Sequence, residues 1–521
     1  MVFKNIKLVA CTIALATVSV SCVLEEDLNQ VNPNFETEAS FWQNDEDALL
    51  GINAAYSSLL TDGTYMRSTP LLLDLKSDDA RSYSPWDAMY NVGRFNSSVS
   101  NAAIYGWAFE TYYQGVYRCN QVLANVPNIE FEDTALKDRI LGQAYFLRGL
   151  YFFHLVNMFK NVPLPLDTEN LYYPQSTQEE GWAQVMSDMQ MAVDLLPWSY
   201  DGISGADGNS KGRATKGAAY GYLGKAYLFT YDYQSAKTAF EQVINSGEYA
   251  LVANYADNFT EANENNSESI FEVQFDREVG GVALGWGGAP LASWGKTSAR
   301  AITYAPRGFG WTDVQPTWTL FNEFQEELTV DGEVDPRLDA TIAYNKDGGM
   351  TIYGQDFATF YAGSPSDLND LFCKKYQNTE TMVNEFDWRS GINERLMRYA
   401  DVLLMYAECL NELGQTSDVY TYIQMVRDRV NLPDLSTTMP GMSQAEMREQ
   451  IGHERYLEFA LEGHRFDDIR RWGWLQDSAK LAWLADRDDE LQSYVAGREF
   501  FPIPQLEVDS NPNNIEQNPG Y

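Results

Sequence analysis

The run YGYLGKAYLFTYDYQSAKTAF, residues 220–240, constrains this fold more than any other stretch. Tyr220, Leu223, Gly224 and Tyr227 recur at the three- and four-residue spacing of one helical face, and Ala236 and Phe240 continue it on a second helix. The small residues let two helix backbones approach, and the rings fill the groove between them. The pattern predicts a hairpin of two helices that needs neighbours to cover its remaining apolar surface.

Neighbours are present. The offsets above are the large–Leu–Gly–Tyr–Ala–Phe spacing of a tetratricopeptide repeat. They return more loosely in ERLMRYADVLLMYAECLNELG and SDVYTYIQMVRDRVNLP, at Leu403, Tyr406, Ala407, Leu410, Val419 and Ile423. Earlier stretches read as helices too: NDEDALLGINAAYSSLL, capped by Asn44 or Asp45, then YGWAFETYYQGVYRCNQVLANV, TALKDRILGQAYFLRGLYFFHLVNMF and EEGWAQVMSDMQMAVDLLP. The expected fold is mainly α, four helical hairpins with insertions near 61–100 and 161–175. Between 250 and 395 the helical period fades, Gly, Pro, Asn and Trp rise, and alternating runs such as SIFEVQF predict short strands. An insertion of that length requires its own core or a purpose. The expected organisation is a leader over 1–21, a tether over 22–40, three hairpins over 41–249, the irregular insertion over 250–395, and the fourth hairpin with a C-terminal segment over 396–521.

The leader reads as a secretory signal. Lys4 and Lys7 precede the apolar run LVACTIALATVSV, and Ser19, Val20 and Ser21 lead into Cys22. This resembles a bacterial lipoprotein leader, with Ser19 where Leu is usual, and a lipid on Cys22 would anchor the chain without spanning the membrane. No later run reaches the about 18 apolar residues that a spanning helix needs. A net charge of −37 repels phosphate backbones and anionic lipid, which argues against nucleic-acid binding. Cys119, Cys373 and Cys409 are too scattered for a disulfide framework or a zinc site and read as buried thiols. DGNSKG at 207–212 starts like a calcium loop, but Lys211 takes a ligand position and Ala218 the place of the bidentate Glu. No phosphate loop, dinucleotide fingerprint or nucleophile elbow is found, so no metal and no cofactor is expected.

The densest ionisable stretch is HERYLEFALEGHRFDDIRRWG, His453 to Gly473. Ser443 and Glu446 form a capping box ahead of it, which predicts a last long helix. Glu454, Glu458 and Glu462 follow one another at four-residue steps. Arg455 lies three before Glu458 and Arg465 three after Glu462, so an ion-paired rim is expected. A zinc protease motif fails because Leu457 stands where a second His is required, and the chain has only three His. The helix therefore reads as structural. A surface glycoside hydrolase, which needs only two carboxylates across a cleft, stays open as a rival.

ERYLEFALEGHRFDDIRRWG resembles the C-terminal signature of the SusD/RagB family, surface lipoproteins that bind nutrients for a TonB-dependent porin. RYADVLLMYAECLNELG, VRDRVNLP, PTWTLFNEF at 316–324 and the terminal NPNNIEQNPGY match in the expected order. The resemblance implies a SusD-like frame of four tetratricopeptide-type hairpins and an irregular region carrying the ligand contacts. It further implies an outer-membrane, lipid-anchored location on the cell surface, a SusC-like TonB-dependent transporter as partner, and capture of an oligosaccharide without catalysis.

Residues 279–318 supply the expected ligand contacts. Trp286, Trp294, Trp311 and Trp318, four of the 13 tryptophans, fall there together with Tyr304. Glycines flank three of them, a context that displays rings on loops, and a flat indole suits the C–H face of a sugar. The segment DLKSDDARSYSPWDAMYNVGRF adds Asp78, Arg81 and Trp86 as candidate partners for hydroxyls and rings. The clustered indoles favour glycan over peptide, the alternative cargo within the same family.

Overall fold

The computed structural model describes residues 38–170, 172–279 and 295–521. Cys22 with the leader, and Trp286 and Trp294, lie outside the described residues. The frame is a stack of helices in chain order: α1 (Asp45–Ser57), α2 (Tyr105–Asn125), α3 (Thr134–Phe159), α4 (Gln178–Leu195), α5 (Lys216–Phe229), α6 (Tyr233–Ser246), α7 (Tyr399–Glu412), α8 (Thr416–Arg429) and α9 (Gln444–Glu458). Each packs on the next, and α6 meets α7 directly although more than 150 residues separate them in sequence. A short α10 (Arg465–Arg471) follows α9.

Local sequence explains these starts. The side chain of Asn44 accepts from the backbone N–H groups of Glu46 and Asp47 while Asp47 returns to the cap, and Thr177 with Glu180 and Ser443 with Glu446 do the same. Such reciprocal caps satisfy amides that the first helical turn leaves bare. Helix α3 is apolar on nearly every side because α2, α4 and α1 all press on it; from Phe146 to Phe159 every side chain is buried. The three thiols Cys119, Cys373 and Cys409 are free and buried.

The chain between α6 and α7 holds short elements. Strand β1 (Ala80–Ser82), from the insertion after α1, pairs antiparallel with β3 (Val314–Pro316), and β2 (Ser269–Val273) pairs antiparallel with β4 (Glu394–Arg398). A smaller aromatic core, with Phe309, Tyr353, Phe357 and Phe372, stabilises this region on its own. SIFEVQF accordingly forms the expected strand.

Three expectations are corrected. Glu394–Arg398, read as the start of a helix, is strand β4: all five side chains are buried, and pairing with β2 overrides the helical pattern. The last helix is not continuous to Gly473. It ends at Glu458, and the chain turns through Leu461 at φ 58° and Gly463 at φ 76° before α10. The glutamates of that stretch do not form a rim in solvent. Glu454 and Glu458 are wholly buried and Glu462 nearly so.

Candidate functional site

The carboxylates of α9, with Glu462 in the turn after it, make an internal ion cluster with partners distant in sequence. Arg398 Nε donates to Glu462 at 2.8 Å and its Nη1 to Glu458 at 3.0 Å. Arg337 Nη1 reaches Glu454 at 2.6 Å and Glu458 at 3.1 Å. Arg427 and Arg429 donate to Glu454 and Glu458, and Lys375 to Glu462 at 2.9 Å. The expected pairs within the helix are absent. Arg455 turns to Asp401 and Asp468, and Arg465 to Asp78. Burial alone would raise the Glu458 carboxyl, but Arg429, Arg398 and Arg337 outweigh it and hold it down at about 2. Carboxylates so neutralised and closed to solvent are held ionised within the protein interior.

This cluster positions what lies above it. Asp78 receives Arg465 at 2.6 and 2.9 Å and Arg487 at its other edge, and these guanidiniums overcome burial to hold its carboxyl down at about 2. The next residue, Asp79, accepts from the Leu461 backbone N–H at 3.0 Å through its carboxylate. The carbonyls of Asp78 and Asp79 accept from the Thr317 hydroxyl and backbone N–H at 2.7 and 3.0 Å. Strands β1 and β3 are therefore fixed to the turn that follows α9, and the side chains at both their ends are fixed with them.

At one end of that pair stands an aromatic surface. Trp311 and Trp388 are both exposed, at 36% and 44%, with ring centroids 6.1 Å apart and planes at 58°. Their loops are tied by the Glu385 N–H donating to the Phe309 carbonyl at 2.8 Å. The Glu385 carboxylate is buried and takes the Tyr353 hydroxyl at 2.8 Å and the Asn378 N–H at 3.0 Å. Trp388 sits at φ 67° and Thr312, next to Trp311, at φ 59°. Left-handed backbone at bulky residues costs about 1–3 kcal/mol and is kept where the surroundings enforce it, characteristically at ligand sites. Tyr83, 56% exposed, joins from β1, its N–H donating to the Asp313 carbonyl at 2.9 Å.

The other candidates distribute unevenly. Trp318 is exposed at the far end of β3, where it opens the helix Trp318–Glu323 and meets Phe321 edge-on at 5.4 Å. Trp86 is half-buried, 5.7 Å from Trp107, with Arg67 over its ring. Arg81 is bound to Asp488 and Asp489 at 2.9 and 2.8 Å. Two candidates belong to the interior instead. Asp78 is buried between its arginines, and Tyr304 is buried with its hydroxyl donating to Asp74 at 2.8 Å. Polar groups already satisfied inside the protein offer nothing to a ligand in solvent. Asp207 of DGNSKG is likewise consumed, taking Arg139 at 2.7 and 2.8 Å. Sequence reasoning missed Trp388. The only signal was an indole in the polar stretch NTETMVNEFDWRS, too far from Trp311 in sequence to link them.

Comparison with known proteins settles the family. The profile described as "SusD family" matches residues 267–521, and "Starch-binding associating with outer membrane" matches 50–228. A SusD superfamily protein from Bacteroides vulgatus is 30% identical, with 92% of this chain and all of that one covered at a TM-score of 0.80. The chain belongs to the SusD family. SusD-like protein P25 of Formosa agariphila is 27% identical over 96% of this chain and 97% of its own. A solved laminarin-binding SusD-like protein is 28% identical, covers 92% of this chain and 100% of its own, and superposes at a TM-score of 0.71. The region matched by the SusD family profile holds both the buried ion cluster and the exposed indoles of the irregular region. Among the described residues no helix is long and apolar enough to cross a membrane.

Proposed function

We propose that this SusD-family protein captures an oligosaccharide on the face of Trp311, Trp388 and Tyr83 and passes it to a SusC-like TonB-dependent transporter. The observation that carries this reading is the Trp311–Trp388 pair, two exposed indoles 6.1 Å apart, with left-handed backbone at Trp388 and at Thr312 beside Trp311. Splayed rings at that spacing accept the apolar faces of sugar rings, and neighbouring polar groups take the hydroxyls. A relative named for laminarin binding supports a glycan as cargo. The family description that speaks of association with the outer membrane supports attachment there, through a lipid on Cys22. On this reading the protein is a binder, and the carboxylates of its densest acidic stretch, Glu454, Glu458 and Glu462, are spent on arginines.

Calorimetry with laminari-, malto- and xylo-oligosaccharides beside a peptide pool tests it. One glycan series should bind, without product, and lose affinity in Trp311→Ala and Trp388→Ala. Binding of peptide alone, or release of shortened glycan, would defeat the reading.

A further inference from the structure

Away from the glycan face, helix α2 turns a second aromatic surface outward. Tyr113 and Tyr117 of α2 face Tyr172 and Tyr173 across a cavity of about 700 Å³, closed on its third side by the segment around Glu507. That volume falls within the range of small-molecule sites. The walls are fixed. The Tyr113 hydroxyl donates to the Pro163 carbonyl at 2.7 Å, the Gln121 amide donates to the Tyr117 hydroxyl at 2.8 Å, and the Asn511 amide to the Tyr173 carbonyl at 3.3 Å.

The charges around the cavity are not balanced. Three carboxylates, Glu110, Asp167 and Glu507, outnumber its one arginine, Arg118, whose Nη1 donates to the Ala54 carbonyl and the hydroxyls of Ser57 and Ser58 at 3.1, 3.1 and 2.8 Å. Asp167 accepts the backbone N–H groups of Glu169 and Asn170 at 3.0 and 2.9 Å. That leaves Glu110 and Glu507 on opposite elements. Glu110 accepts one amide, from Gln114, at 3.2 Å. The carboxylate of Glu507 has no hydrogen bond or ion pair among the described residues, and burial followed by the charge of Glu110 pushes its carboxyl up.

We propose that this cavity binds an organic ammonium group, held between the tyrosine faces and neutralised by Glu110 and Glu507. A neutral sugar would use the rings but leave the two carboxylates opposed. An anion is repelled, and a bare metal ion finds ring faces where it needs oxygen ligands. An alkylammonium satisfies both features at once, by attraction to the ring quadrupoles and to the carboxylates. The cavity shares no residue with the Trp311 face, so its failure would leave the glycan reading untouched.

The test is calorimetric titration of the full mature chain with choline, with an Nα-acetyl-lysine amide, and with 3,3-dimethylbutan-1-ol, the neutral isostere of choline. At least one ammonium probe should bind saturably, and stronger binding by choline or by the lysine amide separates a quaternary ligand from a lysine side chain. The alcohol should bind at least about tenfold more weakly than choline. Glu507→Gln, at a half-buried position, and Tyr117→Ala, at an exposed one, should each weaken the ammonium about three- to tenfold with unchanged melting temperature. No saturable binding of either ammonium, equal binding of the alcohol, or affinity indifferent to both substitutions would overturn the proposal.

Discussion

A Cβ added to Gly224 would lie 2.6 Å from Cε1 of Phe240, on the facing helix of the same hairpin. The contact is closer than any side chain tolerates, so α5 and α6 approach as far as they do because position 224 carries no side chain. Phe240 is fully buried and has nowhere to turn. Gly224→Ala should therefore destabilise the protein by about 1–3 kcal/mol through overpacking, despite the better helix propensity of Ala. The denaturant midpoint reads it. An unchanged midpoint would mean that the hairpin yields more easily than its packing implies.

Glu458 meets three guanidiniums, those of Arg337, Arg398 and Arg429. Glu458→Gln removes the charge they share and should cost about 3–5 kcal/mol, the usual penalty for stranding buried ions. The loss should depend on pH. The Glu458 carboxyl ordinarily titrates at 4.5 and in the fold at about 2. Above pH 4.5 its contribution is complete. As pH falls from 4.5 toward 2, the unfolded chain takes up a proton that the folded chain refuses, and the contribution disappears. The gap in stability between wild type and Glu458→Gln, measured by chemical denaturation at several pH values, should narrow across that interval. A gap that widens there would reverse the assignment.

Asp78 bridges Arg465 of α10 and Arg487. Asp78→Ala should destabilise by about 3–5 kcal/mol because the buried Arg465 guanidinium loses its counter-charge, while Arg487 keeps Glu323. The variant that remains folded should bind glycan with near wild-type affinity, a split visible by comparing thermal melts with calorimetry. Selective loss of affinity at full stability would place Asp78 at the ligand instead.

Trp311→Ala and Trp388→Ala should each weaken glycan binding by about 1–3 kcal/mol while moving the melting temperature little, since both rings stand at the surface. Trp318→Ala, at the other end of β3, should have a smaller effect on affinity. Equal losses from Trp311 and Trp318 would mean a longer ligand footprint than the paired indoles define. A large drop in melting temperature for Trp311→Ala would assign that ring to the core.

What was legible in the sequence follows from range. Caps and hairpins rest on neighbours within a few residues, so Ser443 with Glu446 and Gly224 with Phe240 could be read directly. The ion cluster could not. Arg455 and Glu458 satisfy the three-residue rule, yet Arg455 pairs with Asp401, 54 residues away, because burial of both faces of α9 brings in partners that helical spacing does not reveal. Glu394–Arg398 misled for the same reason, since its helical pattern yields to a strand partner more than 120 residues upstream. Glycine-rich context correctly put Trp311 on the surface. It could not distinguish Tyr304, whose ring fills the interior beneath Arg300, or foresee that a left-handed turn would bring Trp388 beside Trp311.

Arginines 337, 398, 427 and 429 all precede the glutamates at 454–462 that neutralise them. A polypeptide cut short before residue 454 would have to enclose four cations with Asp335, Glu268 and Glu327 but without Glu454, Glu458 and Glu462, half of their six carboxylate partners. The ion cluster is thus completed only by residues near the end of the chain.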